Sequence, residues 1–403
     1  MAEAAKAMQR GGWRRLASWG TMLAASALLG ACQTLVPRQP TPPPPAAVTP
    51  PPPRVVRPPV ERGVEAGIPR DAERNRVALL VPLSGANAGV GRSLANATQL
   101  ALLDTNTKSV RITSYDTAGG AAAAARRALD EGAQLILGPL LAEDVRSVTP
   151  IARAAHVPVL SFSNDAGVAG NGAYLLGYAP AQSIERVVEF AKGRGVTTFA
   201  GLVPNGLYGE RASTAFLRSV EGAGGQVVSL QTYARGAVGP AVTRLAAKAP
   251  YGAVLIADSG NNAAVAAPLV RRSSAGTHVL GTELWNSESG IAAKPALAGA
   301  WFASVSDTLY RQYAAKYRAR FGTAPYRLSS LGYDAVLLTI RIARDWPVGE
   351  PFPEARLRDA GGFAGIDGAF RFGRDNVAER ALEVQEIRGG TTVTVSPAPA
   401  TFR

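Results

Sequence analysis

The chain has 403 residues, a formal charge of +13 and 47% hydrophobic residues, with one cysteine and two histidines. A single cysteine excludes an internal disulfide, and so few thiols and imidazoles exclude a transition-metal cluster of the usual ligand spacing. The charge is dispersed, because residues 1–31 and 32–76 each contribute a net +3 and no basic stripe with interleaved aromatic side chains follows. We therefore expect no nucleic-acid partner.

Residues 1–31 form the first predicted element, a secretory signal peptide. Three arginines precede an apolar run over 16–29, and small residues lead to Cys32, an order typical of a signal peptide and its cleavage site. The run is shorter than the roughly 20 residues of a membrane-spanning helix. The sequence Leu-Gly-Ala-Cys resembles the lipobox of bacterial lipoproteins, which implies cleavage before Cys32 and lipid on its thiol and new amino group. The alternative is a secreted protein in which this cysteine stands by chance.

Residues 32–73 are predicted to be a proline-rich spacer that follows the anchor. Residues 37–59 contain 12 prolines, and proline lacks the backbone N–H that helices and sheets require. An extended polyproline-like chain would reach up to about 100 Å from the membrane. By the same resemblance, Gln33 implies sorting to the periplasmic face of the outer membrane, because an aspartate there is the usual inner-membrane retention signal. The alternative use of this segment is a docking peptide for a partner domain.

From Arg76 onwards, short apolar runs alternate with longer helical patterns, which predicts parallel sheets covered by helices on both faces. The first series has strands at 77–81, 110–115, 134–137, 157–160 and near 174, with helices at 91–104, 120–131 and 142–155. The second series has helices at 181–194, 209–222, 239–248 and 261–272, with strands at 198–203, 226–231, 253–257 and 277–280. Helices at 307–321 and 327–345 and strands around 363–372, 381–387 and 391–395 follow.

Two such series predict an α/β fold with two doubly wound lobes, each on a mostly parallel sheet. We assign residues 74–178 plus about 303–345 to the first lobe, and residues 179–302 plus about 346–397 to the second. A ligand is expected in the cleft between the lobes, beside the carboxyl ends of the strands.

The loops that follow the strands supply the candidate ligand-binding residues. They are Ser84, Asp116 and Leu140 after the first three strands, Ser161, Ser163 and Asn164 after the fourth, and Tyr208 in the second lobe. The alternative is that the glycines and prolines of these loops only make tight strand–helix turns. No Gly-x-Ser-x-Gly elbow follows a strand and there is no phosphate-binding P-loop. We therefore expect no enzyme, no catalytic residue, no cofactor and no metal.

Four of these loops carry a resemblance to a known family. They read Val-Pro-Leu-Ser-Gly at 81–85, Tyr-Asp-Thr-Ala-Gly at 115–119, Ile-Leu-Gly-Pro-Leu at 136–140 and Leu-Tyr-Gly-Glu at 207–210. They resemble the type I periplasmic-binding fold over roughly residues 74–395, a family that includes leucine/isoleucine/valine-binding proteins of ABC importers. The lipobox, the spacer and the stretch at 135–145 look closest to a branch of penicillin-binding protein activators, outer-membrane lipoproteins that stimulate peptidoglycan synthases.

The family pattern also implies where this chain departs from an amino-acid site. Members hold the ligand carboxylate with hydroxyls and backbone N–H groups after the third and fourth strands, and the ligand ammonium with acidic side chains. Here Leu141-Ala142 replaces the expected hydroxyl, and the crossover at 177–180 has no acid. The loop at 161–164 could still bind a carboxylate, with Tyr208 and Glu283 facing it. A buried ammonium without a partner is costly, so these departures argue against a standard amino-acid site.

The leading hypothesis from the sequence is a non-enzymatic, lipid-anchored periplasmic protein that regulates peptidoglycan synthesis by activating a penicillin-binding protein. In this hypothesis the lipid localises the protein, the spacer gives reach and the two lobes present the contact surface. The alternative is a solute-binding protein of an ABC importer, with an amino acid or another small polar ligand in its cleft.

Overall fold

The computed structural model describes residues 73–399, except 235 and 289, together with residue 402. The predicted signal peptide, Cys32 and the proline-rich spacer lie outside the described residues. The described residues belong to one compact unit. None of the helices among them is both long and apolar enough to span a membrane.

The first lobe is built on a parallel sheet of five strands. The strands are β1 (Asn75–Val81), β2 (Val110–Asp116), β3 (Leu135–Leu137), β4 (Val159–Ser161) and β5 (Ala173–Leu175), in the order β2-β1-β3-β4-β5. Its first helices are α1 (Ala88–Thr105), α2 (Ala121–Asp130) and α3 (Ala142–Ala154). Alternate side chains of β1 enter different cores, because Leu79 packs on the side of α1 and Leu80 packs on the side of α2 and α3. Burial on both faces explains the uninterrupted apolar strands.

The second lobe repeats this strand–helix alternation. Its elements are α4 (Pro180–Gly193), β6 (Thr198–Pro204), α5 (Leu207–Gly222), β7 (Gln226–Tyr233), α6 (Val238–Ala246), β8 (Ala253–Ile256), α7 (Gly260–Ser273), β9 (His278–Gly281) and β10 (Trp301–Ser304). These five strands pair in parallel. Strand β10 was not predicted from the sequence, since short 3-10 turns over 283–297 precede it in place of a helix and the strand–helix alternation is interrupted there.

Both lobes use the same close contact where the first strand turns into its helix. A Cβ atom on Gly91 would lie 1.8 Å from the carbonyl oxygen of Pro82, and one on Gly209 would lie 1.7 Å from that of Pro204. Only glycine permits so close an approach of a helix to the preceding strand end. These two glycines therefore fix the starts of α1 and α5 against the edge of each sheet that faces the cleft.

The rest of the chain is shared between the lobes. It forms α8 (Thr308–Phe321), α9 (Ser330–Ala343), β11 (Phe363–Gly365), β12 (Gly368–Phe372), β13 (Ala378–Arg380), β14 (Glu383–Arg388) and β15 (Thr391–Ser396). Helices α8 and α9 pack on α1. Strand β14 pairs antiparallel with β10 and with β15, which gives the second sheet the order β15-β14-β10-β9-β8-β6-β7. The predicted two-lobed α/β architecture with mostly parallel sheets is confirmed.

The segment from 346 to 380 lies in the first lobe, and its assignment to the second lobe from the sequence was wrong. Strands β11, β12 and β13 form a small antiparallel sheet of their own. Its Phe363 and Phe370, together with Trp346, enter the same core as Leu79. These aromatic side chains cover apolar surface beside α9, so that only β14 and β15 return to the second lobe.

The chain consequently passes between the lobes three times. The crossings follow β5, β10 and β13, at residues 176–179, 305–307 and 381–382. All three lie near the carboxyl ends of the parallel strands, which is where a cleft opens in folds of this kind.

Candidate functional site

A cavity of about 310 Å³ lies between the two lobes, at the three crossings. Leu140 and Phe162 of the first lobe, Leu284 of the second, and Val305 and Leu382 at the crossings line it. Its walls are therefore largely apolar, and its volume is at the lower end of the range for small-molecule sites. Most of its charge lies in two groups of polar side chains, one on each side.

The glutamate cluster, on the side of the second lobe, consists of Ser183, Tyr208, Thr282 and Glu283. Glu283 lines the cavity directly after β9, and Ser183 projects from α4. The Ser183 hydroxyl donates to one carboxylate oxygen of Glu283, and the Tyr208 hydroxyl donates to the other at 3.0 Å. The Tyr208 and Thr282 hydroxyl oxygens lie 3.0 Å apart. Both oxygens of Glu283 therefore already accept hydrogen bonds from this chain.

Loss of solvent sets the ionisation of this cluster. It raises the pKa of the Glu283 carboxyl above its ordinary value, although the hydrogen bonds from Ser183 and Tyr208 oppose the shift. It also raises the pKa of the Tyr208 phenol, and the nearby negative charge of Glu283 adds to this effect. Both shifts favour the neutral forms, as desolvation does for acids in general.

The arginine cluster, on the side of the first lobe, consists of Arg327, Asp334, Asp367 and Arg380, all buried. Arg327 precedes α9, Asp334 lies within α9, Asp367 lies in the turn between β11 and β12, and Arg380 ends β13. Arg327 and Arg380 line the cavity. The cluster thus joins the helix α9 to the small antiparallel sheet at the floor of the cleft.

Arg327 is a paired cation. Its Nη1 donates to Asp367 Oδ1 at 2.7 Å, and its Nη2 lies 3.5 Å from Asp307 Oδ1. The other oxygen of Asp367 accepts from the hydroxyls of Ser330, at 2.8 Å, and Tyr178. Burial opposes the ionised form of Asp367, yet the positive charges of Arg327 and Arg380 hold the pKa of its carboxyl below the ordinary value.

Asp334 is the second carboxyl of the cluster and is held differently. Its oxygens accept from the backbone N–H groups of Ile366, at 2.6 Å, and Asp367, at 3.4 Å. Burial, followed by repulsion from the Asp367 carboxylate, raises its pKa to about 7. Near neutral pH this carboxyl is therefore only partly ionised, and it offsets less than one positive charge.

Arg380 is the least satisfied side chain at the cavity. It is 8% exposed, and its Nη2 donates to the carbonyl of Leu176 at 2.6 Å. Its Nε and Nη1 are buried without a hydrogen-bond partner, and no carboxylate among the described residues forms an ion pair with it. The guanidinium packs over the rings of Tyr178 and Phe370, at 4.8 and 5.2 Å from their centroids. A buried cation in this state is poised to accept an anion.

Some of the residues chosen from the sequence lie at this cavity. Leu140, Asn164 and Glu283 line it, with Asn164 exposed at the rim. Tyr208 lies behind Glu283 and orients it. The leucine expected in place of a hydroxyl after β3 is present as part of the apolar wall, where Leu141 follows Leu140.

The other predicted residues lie elsewhere. The Ser161 hydroxyl donates to the Pro139 carbonyl and accepts from the Ser163 N–H, and the Ser163 hydroxyl accepts from the Asp165 N–H. These two buried serines thus shape the loop after β4 and do not line the cavity.

Ser84 and Asp116 also lie away from the cavity and are exposed, Ser84 in the loop after β1 and Asp116 at the end of β2. The Ser84 hydroxyl donates to Asp116 Oδ2 at 2.6 Å. This hydrogen bond, with backbone N–H groups nearby, lowers the pKa of the Asp116 carboxyl to about 2. The pair ties the loop after β1 to the end of β2, which accounts for both residues without a ligand.

Sequence reasoning missed the arginine cluster. Arg327 and Arg380 are two among 43 basic residues, and neither belongs to a recognisable motif. Tyr178 lies in the crossover that was noted only for lacking an acid. The one available sequence signal for this cluster was Arg380, which directly precedes the crossing after β13. That position can be recognised only once the chain is known to cross between the lobes there.

Three comparisons with known proteins complete the description of the site. A family model described as "Periplasmic binding protein" matches residues 75–391. The uncharacterized protein RP748 of Rickettsia prowazekii (strain Madrid E) is 25% identical over 146 residues, which are 36% of this chain and 39% of that protein. The match to this relative therefore spans well under half of its length.

Two solved structures share the architecture. The leucine-binding protein LivK of Thermotoga maritima superposes with a TM-score of 0.63 at 20% identity, over 81% of this chain and 99% of that chain. A solute-binding protein of an ABC transporter from R. palustris, in complex with benzoate, gives a TM-score of 0.62 at 20% identity, over 81% and 97% of the two chains. At this identity the likeness establishes the fold alone.

Proposed function

Because the chain belongs to the periplasmic binding protein family, we propose that it is an extracytoplasmic solute-binding protein. In this proposal it is not an enzyme, and it delivers a small ligand to an ABC importer. The observation that carries the proposal is the cavity at the three crossings, which is lined by both lobes and contains a buried arginine with unpaired N–H groups.

The position of the cavity supports a role in capture. A ligand there would contact Leu140 of one lobe, Leu284 of the other and Leu382 of a crossing at the same time. Such a ligand stabilises whichever arrangement of the lobes encloses it, which is how hinge closure around a ligand is driven. Apolar walls with a few convergent polar groups are typical of a site for a small molecule.

The sequence hypothesis of a penicillin-binding protein activator receives less support. Neither the family description nor the solved structures concern peptidoglycan synthesis, whereas the two structures include a leucine-binding protein and a benzoate-binding protein. The transport alternative is therefore the better proposal. Loss of uptake of the bound solute in a strain that lacks the gene would check the transport step.

We retain the lipid anchor as part of the proposal. Cys32 and the proline-rich spacer would tether the binding domain at the periplasmic face of the outer membrane. Incorporation of labelled palmitate into the wild type, and none into a Cys32→Ser variant, is the expected result. Equal labelling of both proteins would contradict the anchor without touching the binding proposal.

Binding is tested by thermal denaturation of the purified protein with L-leucine, benzoate and related small solutes. A ligand that binds only the folded state adds about 2.7 kcal/mol at a hundredfold excess over its Kd, so we expect a clear rise in Tm with at least one solute. A Leu140→Trp variant should lose this rise because the indole fills the cavity. Leu103→Trp, on the exposed face of α1, is the matched control and should retain it.

Two results would contradict the proposed function. One is the absence of any rise in Tm across the panel. The other is an equal rise in the wild type and in Leu140→Trp, because binding would then lie outside the cavity.

A further inference from the structure

The structure assigns a ligand class to the cavity: we infer that it takes a small monocarboxylate with an apolar body and no ammonium group, and that Arg380 binds the carboxylate. This inference rests on the proposed function, since it presupposes that a solute enters the cavity. It adds the chemistry of the ligand and a binding residue.

Arg380 is a buried cation with unpaired donors. It is more than nine-tenths buried and lines the cavity, and its Nε and Nη1 have no hydrogen-bond partner. Leaving charged donors buried and unpaired is costly, whereas a guanidinium and a carboxylate form two parallel charge-assisted hydrogen bonds. A carboxylate in the cavity would therefore satisfy donors that the protein alone leaves unsatisfied.

The carboxylates near Arg380 also favour an anionic ligand, because they are engaged by other groups. Asp367 is already engaged by Arg327 at 2.7 Å. Asp334 accepts from backbone N–H groups, and its pKa of about 7 leaves it partly neutral at physiological pH. Asp307 is engaged by Arg327 as well, at 3.5 Å from its Nη2. Arg380 is therefore the cavity-lining arginine that forms no ion pair with a carboxylate of the described residues, and one anionic group on the ligand would supply that partner.

The rings on either side of Arg380 restrict how this anion is reached. Tyr178 and Phe370 pack against the guanidinium, so an anion has to meet it along an N–H edge. Binding along an edge suits a planar carboxylate. The backbone N–H of Arg380 donates to Gln182 Oε1 at 3.0 Å. This hydrogen bond holds the end of β13, from which the Arg380 side chain extends.

The glutamate cluster argues against a ligand ammonium. Glu283 is the one acid among the described residues that line the cavity. Its two oxygens already accept from Ser183 and Tyr208, and loss of solvent favours its neutral form. An ammonium group brings three donors and a positive charge. It would have to share the oxygens of Glu283 with Ser183 and Tyr208, at a carboxyl whose burial disfavours the charged form.

Calorimetric titration of the purified protein with matched probes tests the ligand class. Benzoate is compared with benzamide, and 4-methylpentanoate is compared with L-leucine, which differs from it by an ammonium group. We expect each carboxylate without an ammonium to bind at least tenfold more tightly than its counterpart. Equal or tighter binding of benzamide or of L-leucine would overturn the inference.

Substitution of Arg380 tests the residue. In Arg380→Gln, binding of benzoate should weaken at least tenfold while binding of benzamide changes little, and Arg380→Lys should retain part of the affinity because it keeps the charge. Arg374→Gln, at an exposed position in the turn before β13, is the control and should bind benzoate as the wild type does. Unchanged benzoate affinity in Arg380→Gln would overturn the assignment.

The remaining outcomes separate this inference from the proposed function. If a neutral solute binds in a manner abolished by Leu140→Trp while no carboxylate binds, the cavity is a solute site and the inference is wrong. If no solute binds at all, the proposed function itself fails. Should circular dichroism reveal that Arg380→Gln is unfolded, the ratio of benzoate to benzamide affinity in the wild type and in Arg380→Lys decides.

Discussion

The two clusters that flank the cavity differ in how completely the chain satisfies them. In the glutamate cluster the hydroxyls of Ser183 and Tyr208 occupy both oxygens of Glu283. In the arginine cluster Arg327 forms an ion pair with Asp367, although its Nε and Nη2 lack hydrogen-bond partners, whereas Arg380 keeps two nitrogens without partners and forms no ion pair with a carboxylate of the described residues. The glutamate cluster therefore satisfies the oxygens of Glu283 from within the chain, whereas the arginine cluster retains unpaired donors. We expect the polar group of a ligand on the side of the arginine cluster.

The largest expected effect concerns the buried ion pair of Arg327 and Asp367. Asp367→Asn removes the carboxylate nearest to the buried Arg327 and leaves it only Asp307, at 3.5 Å, so we expect a loss of about 3–5 kcal/mol in the free energy of unfolding. Denaturation by urea measures it. Asp359→Asn removes the partner of Arg341 in an exposed pair and should cost less than about 1 kcal/mol. Equal losses in both variants would refute the distinction between the buried and the exposed ion pair.

A smaller effect is expected in the glutamate cluster. Tyr208→Phe keeps the ring and removes the hydroxyl that contacts Thr282 and Glu283, so the free energy of unfolding should fall by about 1–3 kcal/mol. Ser84→Ala removes a hydrogen bond of 2.6 Å to Asp116 at an exposed position and serves as the control. Its expected loss is below about 0.5 kcal/mol. If Ser84→Ala costs as much as Tyr208→Phe, the cluster is not a buried network.

The last expected effect is a change in the pH dependence of the free energy of unfolding rather than a fixed loss. The pKa of Asp334 is raised to about 7 in the folded protein, above the value of about 3.9 for an unfolded chain. Between these values the folded state holds a proton that the unfolded state has released, so this group's contribution to stability declines as pH rises from about 4 to 7. The decline is at most about 1.4 kcal/mol per pH unit.

Asp334→Asn isolates this contribution. The variant cannot ionise at that position, so its stability between pH 4 and 7 should fall less steeply than that of the wild type. Urea denaturation at several pH values measures both slopes. Parallel curves for the two proteins would contradict a raised pKa at Asp334. They would mean that Asp334 carries a full negative charge near Arg380 at neutral pH.

The fold was largely predictable because its strands are short apolar runs separated by helical patterns. Leu79 and Leu80 illustrate why, since burial on both faces requires consecutive apolar residues. The assignment of residues 346–380 failed because apolar alternation identifies a strand but not the lobe that it joins. Phe363 and Phe370 would look the same in either core.

The site was predictable where it depends on loops after strands. Leu140, Asn164 and Glu283 follow strands and line the cavity, as the topology of parallel sheets dictates. Arg380 was not predictable, because its character depends on the rings of Tyr178 and Phe370 and on the carbonyl of Leu176. Two of these partners lie about 200 positions earlier in the chain, and no local sequence pattern predicts contacts over that separation.

The three crossings also determine the order in which the protein can be completed during synthesis. Helix α1 needs α9, and the core around Leu79 needs Phe363 and Phe370, which emerge from the ribosome some 280 residues later. The amino-terminal third of the chain therefore cannot finish its core alone, and contacts so distant in sequence form slowly. A truncation before β13 would remove β13 from the first lobe and β14 and β15 from the second. We therefore expect neither lobe to fold as an independent unit.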